Sequence, residues 1–206
     1  MSDRSPAADR PGVQSPIDRT EVGARLRSVR KSQQLTLKQL SERSGVPVST
    51  LSKMELAQVS VSYEKLAAAA RALNVDIAQL FRSSEMKDAP ASTTVVVHSL
   101  PTVPGYSTGT YDYHLIAGEF PERLMTPMFA RIIARERQQF DEFIRHPGQE
   151  FALVLSGRVR IEFETGEAVS IGAQETAYFN SNVGHIYLSE SEDGGDAQVM
   201  VVMTDR

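Results

Sequence analysis

The stretch Thr36-Leu37-Lys38-Gln39-Leu40-Ser41-Glu42-Arg43-Ser44-Gly45-Val46-Pro47-Val48-Ser49-Thr50-Leu51-Ser52-Lys53-Met54-Glu55 decides the fold of the first part of this chain. Thr36 with Gln39 three residues on has the form of a capping box, in which two side chains satisfy backbone N–H groups at a helix start. Leu37 and Leu40 share one helical face, and Leu51 and Met54 share another. Between them stands Gly45, free to take the positive φ that a tight interhelical turn demands. The predicted arrangement is helix, turn, helix. The side chains left off the second apolar face, Ser49, Thr50, Ser52 and Lys53, are short donors or a cation, suited to base edges in a DNA groove.

Helical periodicity continues on both sides. Val22, Leu26 and Val29 recur at i, i+4 and i+7, which predicts a first helix from Asp18 to near Gln34. Ser62 is placed to cap a fourth helix with the stripe Leu66, Ala69, Ala70 and Leu73, and Asp76 to cap a short fifth with Ile77, Leu80 and Phe81 facing inward. Residues 18–82 thus read as a five-helix unit. Residues 1–17, rich in Ser, Pro, Ala and Asp, offer too little apolar surface to offset ordering and are expected to be a disordered tail. Residues 83–92, with Pro90, read as a linker.

From Thr93 the period shortens to two. Strands are predicted at Thr93–Val97, Met128–Ala134, Phe151–Leu155, Arg158–Phe163, Ala168–Ile171, Thr176–Phe179, His185–Leu188 and Gln198–Met203. Turn residues such as Pro147-Gly148, Ser156-Gly157 and Thr165-Gly166 separate them. Residues 100–125, with Tyr106, Tyr111, Tyr113 and Leu115, fit either strands or a long loop. The expected fold is two-domain, α followed by all-β, the second domain at residues 93–206 being an antiparallel sandwich or jelly-roll barrel.

Charge divides along the same boundary. Residues 18–82 carry 11 Lys and Arg against 6 Asp and Glu, whereas residues 93–206 carry 8 against 16. Only the first segment is suited to meet phosphate. The absence of cysteine excludes disulfides and thiolate metal sites. No apolar stretch approaches the roughly 20 residues a membrane span needs, and the first ten residues lack the apolar core of a signal peptide. A cytoplasmic protein with no membrane partner is expected.

Residues 18–82 resemble the phage-repressor-like (XRE) helix-turn-helix domain, through Thr36, Leu40-Ser41, Gly45-Val46, Leu51-Ser52 and Met54-Glu55. The resemblance implies base-reading positions at Val48, Ser49 and Lys53, with Lys38 near the backbone and Thr50 and Arg43 toward phosphate. It also implies an ion pair between Arg30 and Glu55; two solvated side chains are the alternative. Pro47 suits a helical first turn, which would leave Val46 as a poor N-cap.

Residues 93–206 resemble a cupin. The motifs are His146-Pro147-Gly148-Gln149-Glu150-Phe151, Val154-Leu155-Ser156-Gly157-Arg158-Val159 and Tyr178-Phe179-Asn180-Ser181-Asn182-Val183-Gly184-His185. Ile144 stands where metal-binding cupins have their first histidine, leaving His146, Glu150 and His185. Two histidines and a carboxylate suit zinc, iron or nickel; the same three side chains also suit a metal-free effector pocket. Tyr178 and Arg135 are further candidate pocket residues, whereas His98 and His114 read as surface or packing residues. The joint resemblance implies a homodimeric transcriptional regulator that binds operator DNA, with the cupin sensing a small-molecule effector and holding the dimer. A second resemblance, to non-haem-iron epoxidases of phosphonate biosynthesis, implies instead an oxygenase with a vestigial helix-turn-helix.

Overall fold

The computed structural model describes residues 19–59, 62–81, 90–100, 103, 105–191 and 194–204. The expected tail and most of the expected linker lie outside them. Five helices come first: α1 (Arg19–Ser32), α2 (Leu37–Ser44), α3 (Val48–Glu55), α4 (Tyr63–Ala72) and α5 (Ala78–Phe81). The capping box forms as predicted, with the Gln39 N–H donating to Thr36 Oγ1 at 3.1 Å and the Thr36 N–H donating to Gln39 Oε1 at 2.9 Å. Gly45 ends α2 at φ +73°, in the left-handed region that only glycine enters without strain. Pro47 is the N-cap of α3 rather than a residue of its first turn. Val46 therefore caps nothing: it is buried in the core, and its N–H donates to Ser44 Oγ.

Leu26, Leu40, Leu51 and Leu66, one from each of the first four helices, are fully buried and form the centre of this unit. Beside them the Arg30 guanidinium forks onto Glu55, Nε to Oε1 at 2.5 Å and Nη2 to Oε2 at 2.7 Å, and its Nη1 donates to the Leu35 carbonyl at 2.7 Å. The pair implied by the resemblance is thus present, buried, and ties α1 to α3.

The second part is built of β1 (Gly105–Ser107), β2 (Tyr111–Leu115), β3 (Thr126–Ile132), β4 (Gln149–Ser156), β5 (Arg158–Phe163), β6 (Ala168–Gly172), β7 (Thr176–Asn180), β8 (His185–Ser189) and β9 (Ala197–Met203). They form an antiparallel six-stranded sheet in the order β1-β2-β3-β9-β4-β7 and a three-stranded sheet β6-β5-β8. The sheets face each other as in a cupin jelly roll without closing fully. Seven of the predicted strands are present, and the stretch left open at 100–125 supplies β1 and β2. Thr93–Val97 is a correction: it pairs with no described strand, and Val95 and Val97 are largely exposed. Its β-branched side chains suit a strand, but that propensity describes a fit to a pleated surface and does not supply a pairing partner.

One continuous core spans both parts. Tyr63 of α4 packs on Tyr113 of β2 at 5.7 Å between ring centroids, and Phe81 of α5 on Tyr106 of β1 at 5.5 Å. Ion pairs Lys65–Glu142 at 2.7 Å and Asp76–Arg123 at 2.5 Å also cross the boundary. No helix among the described residues is long and apolar enough to cross a membrane.

Candidate functional site

Two surfaces carry the expected chemistry. On the helical unit, Lys38 in the first turn of α2, Arg43 in its last turn, and Val48, Ser49 and Lys53 on α3 are all exposed. Thr50 is half-buried and lines a groove between the two parts of the molecule.

Inside the barrel, His146, Glu150 and His185 converge. The strand register explains two of them. On β4, Glu150, Ala152 and Val154 alternate inward, and on β8 His185 and Tyr187 point into the same space two residues apart. His146 reaches the site from outside the strand: it precedes β4 across the Pro147-Gly148 turn. Gly148 sits there at φ +92°, where a Cβ would lie 2.0 Å from the Thr204 carbonyl oxygen.

His146 Nε2 lies 2.9 Å and His185 Nε2 3.6 Å from Glu150 Oε2. The other ring nitrogens face backbone carbonyls, His185 Nδ1 that of Val183 at 2.9 Å and His146 Nδ1 that of Pro147 at 3.3 Å. That orientation turns both Nε2 atoms to the cavity, and it is the arrangement by which outer partners orient metal-ligating imidazoles. One ligand atom from each of the three residues lies within 4.8 Å of the others. The donor set fits a divalent metal ion, with Ile144 lining the cavity where a fourth ligand is missing.

The Tyr187 hydroxyl donates to Glu150 Oε1, and burial pushes that hydroxyl well above its usual range, so it stays a donor. Burial alone would raise the Glu150 carboxyl; hydrogen bonds and charge from His146 and His185 outweigh it and bring the group down to about 2. Burial lowers His185, but its hydrogen bond to Glu150, the charge of that carboxylate and its bond to the Val183 carbonyl together outweigh that, leaving it raised.

A sixth group was not expected. Glu64, in the first turn of α4, lines the same cavity, and its Oε2 is shut off from solvent with no hydrogen-bond partner. Burial holds its carboxyl above the usual carboxylate range. Nothing in the sequence marks it, because an acidic residue in a first turn is the ordinary complement to a helix dipole. Tyr178 and Arg135 are corrections. Tyr178 sits on edge strand β7, 67% exposed, donating to Gln149. Arg135 is drawn to the surface by the carbonyls of Gly194 and Gly195, at 2.7 and 2.9 Å. His114 is a packing residue, its Nδ1 2.9 Å from the Val103 carbonyl oxygen, and His98 pairs with Glu119 at 2.6 Å.

Residues 26–80 match the helix-turn-helix family model and residues 136–203 the cupin domain model. The HTH-type transcriptional regulator PuuR of Escherichia coli (strain K12) is 24% identical over 169 residues, 82% of this chain and 88% of that protein. A crystal structure of an HTH_3 family transcriptional regulator from Vibrio cholerae shares the fold with a TM-score of 0.59 at 18% identity, over 92% of this chain and 98% of that one. The hydroxypropylphosphonic acid epoxidase from S. wedmorenis gives a TM-score of 0.48 at 16% identity, over 92% of this chain and all of that one; a likeness of that size says nothing of shared chemistry. With both motifs in place and each domain matched by its family model, the chain joins an N-terminal helix-turn-helix domain to a C-terminal cupin domain, the plan of an XRE-type regulator.

Proposed function

We propose that this protein is a DNA-binding transcriptional regulator in which α3 reads an operator and the cupin cavity takes the signal that controls it. The observation that carries the reading is the outer face of α3: Val48, Ser49 and Lys53 stand exposed on a helix whose angle is fixed from behind by the buried Arg30–Glu55 fork. Val48 offers apolar contact to a thymine methyl, Ser49 and Lys53 hydrogen bonds to base edges, and Lys38 and Arg43 charge for phosphate. A homodimer doubles the bases read and sets two half-sites about one DNA turn apart. The exposed apolar side chains of Val169 and Tyr178, in the cleft between β6 and β7, support a dimer contact on the cupin side.

Selection of binding sequences from a random duplex pool, followed by anisotropy titration, tests the reading. The parent is expected to enrich a two-fold symmetric site, and Lys53→Ala to lose roughly 1–3 kcal/mol of specific affinity if it reads a base. Full operator affinity in a Ser49→Ala, Lys53→Ala double variant would overturn the assignment of α3.

The convergence of two imidazoles and a carboxylate favours a second reading, an iron-dependent oxygenase. Against it stands the size of the cavity, about 30 Å³, the room of roughly one water molecule. Metal analysis and DNA binding on one aerobic preparation separate the two readings.

A further inference from the structure

Glu64 belongs to the helical domain by sequence and to the cupin cavity by position. Two spaces meet at it. The inner cavity holds His146, Glu150 and His185; outside it, a groove of about 650 Å³ runs between the domains, past Pro47 and Thr50 at the start of α3. Glu64, Tyr113 and Ile144 line both and form the partition between them.

Glu64 Oε2 has neither solvent nor a hydrogen-bond partner. A buried carboxylate oxygen left so is a cost to the folded protein. It sits beside a three-ligand set that leaves coordination positions for water, in a small cavity lined in part by polar groups. A divalent cation in that set would supply what Glu64 lacks, through a polarised water whose proton the carboxylate accepts.

We propose that Glu64 is the coupling residue between the domains: with a divalent transition-metal ion on His146, Glu150 and His185, it accepts a hydrogen bond from the ion's water and draws α4 against the barrel. Because α4 packs on α2 and α2 on α3 in one core, the same contact fixes the reading helix relative to the cupin. The proposal rests on the regulator reading for its DNA arm and on the cavity alone for its metal arm. Coupling of this kind is reciprocal, so metal alters operator affinity by the factor by which operator alters metal affinity.

The test uses the full chain, stripped with chelator and titrated with Zn²⁺ alone as the probe, with Glu64→Gln, Glu64→Ala and Lys65→Ala compared to the parent. Metal affinity is read by competition with a chromophoric chelator, stability by thermal unfolding with and without Zn²⁺, and operator affinity with and without Zn²⁺. Loss of an outer-shell partner weakens metal binding by about 10- to 100-fold, and that is the loss expected for Glu64→Ala. Both Glu64 variants should melt no lower than the parent without metal, since a buried carboxyl with one unpartnered oxygen has been removed. Their gain in Tm on adding Zn²⁺ should shrink, and their operator affinity should become indifferent to it.

Lys65→Ala breaks a neighbouring interdomain ion pair outside the cavity and should keep the parent's metal affinity. Equal Zn²⁺ affinity in the parent and both Glu64 variants would overturn the proposal, as would the same loss in Lys65→Ala, which would assign the effect to loosened packing. A parent that binds operator but no Zn²⁺ also overturns it and leaves the regulator reading intact. A parent that binds Zn²⁺ through Glu64 but no DNA overturns the DNA coupling and the regulator reading together.

Discussion

At the scale of the residue, burial decides which charges matter. The Arg30–Glu55 fork has side chains only 10% and 5% exposed, so removing one partner strands the other in a medium that cannot solvate it. Glu55→Ala is expected to cost roughly 3–5 kcal/mol in urea unfolding. Lys38–Glu42, at 4.0 Å and with both groups largely exposed, belongs to the other class, and Lys38→Ala should cost under about 0.5 kcal/mol. A difference of less than about 1 kcal/mol between the two variants would show that the fork does not hold in solution. The fork was legible only as one of two alternatives, because its two halves lie 25 residues apart and their meeting is a tertiary fact. His146, Glu150 and His185 were legible as a set from their motifs, but Tyr178 and Arg135 were not separable from true cavity residues. Period two tells which strand residues share a face, not which face is inside, and Arg135 follows the end of β3 altogether.

At the scale of the element, local chemistry was readable where it is self-contained. The capping box, the Gly45 turn and the alternation of β4 and β5 all follow from residues within a few positions of each other. Thr93–Val97 fails for the complementary reason: strand propensity describes a side chain's fit to a pleated surface and is silent on whether a neighbour offers free hydrogen bonds. The two glycine turns separate conformational from steric cost. At Gly45 nothing lies within 4 Å of an added Cβ, so Gly45→Ala meets only the left-handed penalty, roughly 1–2 kcal/mol. Gly148→Ala meets that penalty and the Thr204 carbonyl as well, and the turn it distorts delivers His146 to the cavity. Thermal unfolding should therefore rank Gly148→Ala below Gly45→Ala, and only the former should weaken Zn²⁺ binding. Parity of the two variants in both measurements would contradict this account of the turn.

At the scale of the whole molecule, the two domains do not behave as modules on a string. Interdomain surfaces within a chain are by default modest, polar and mobile; here Tyr63 and Phe81 continue the helical core into Tyr113 and Tyr106 of the barrel. Little of this was visible in the sequence: Tyr63 stands three residues before Leu66 and seven before Ala70, on the apolar face of its helix, but that face does not name the partner it meets. At 5% exposure, it is enclosed by Phe81 of its own unit and by Tyr113 of the barrel. Stripping the helical unit away would open those tyrosines to water, so the barrel is not expected to be stable alone, and the parent should unfold by calorimetry in one cooperative transition. Truncating a large buried aromatic costs about 3–5 kcal/mol, and Tyr63→Ala removes one whose contacts lie on the boundary itself. The expected result is a lower onset and a transition that splits in two, the helical unit melting first because it has the smaller core. Two transitions already present in the parent, unmoved relative to each other by Tyr63→Ala, would mean that the domains are energetically independent, and a signal in the cupin would then need another route to the reading helix.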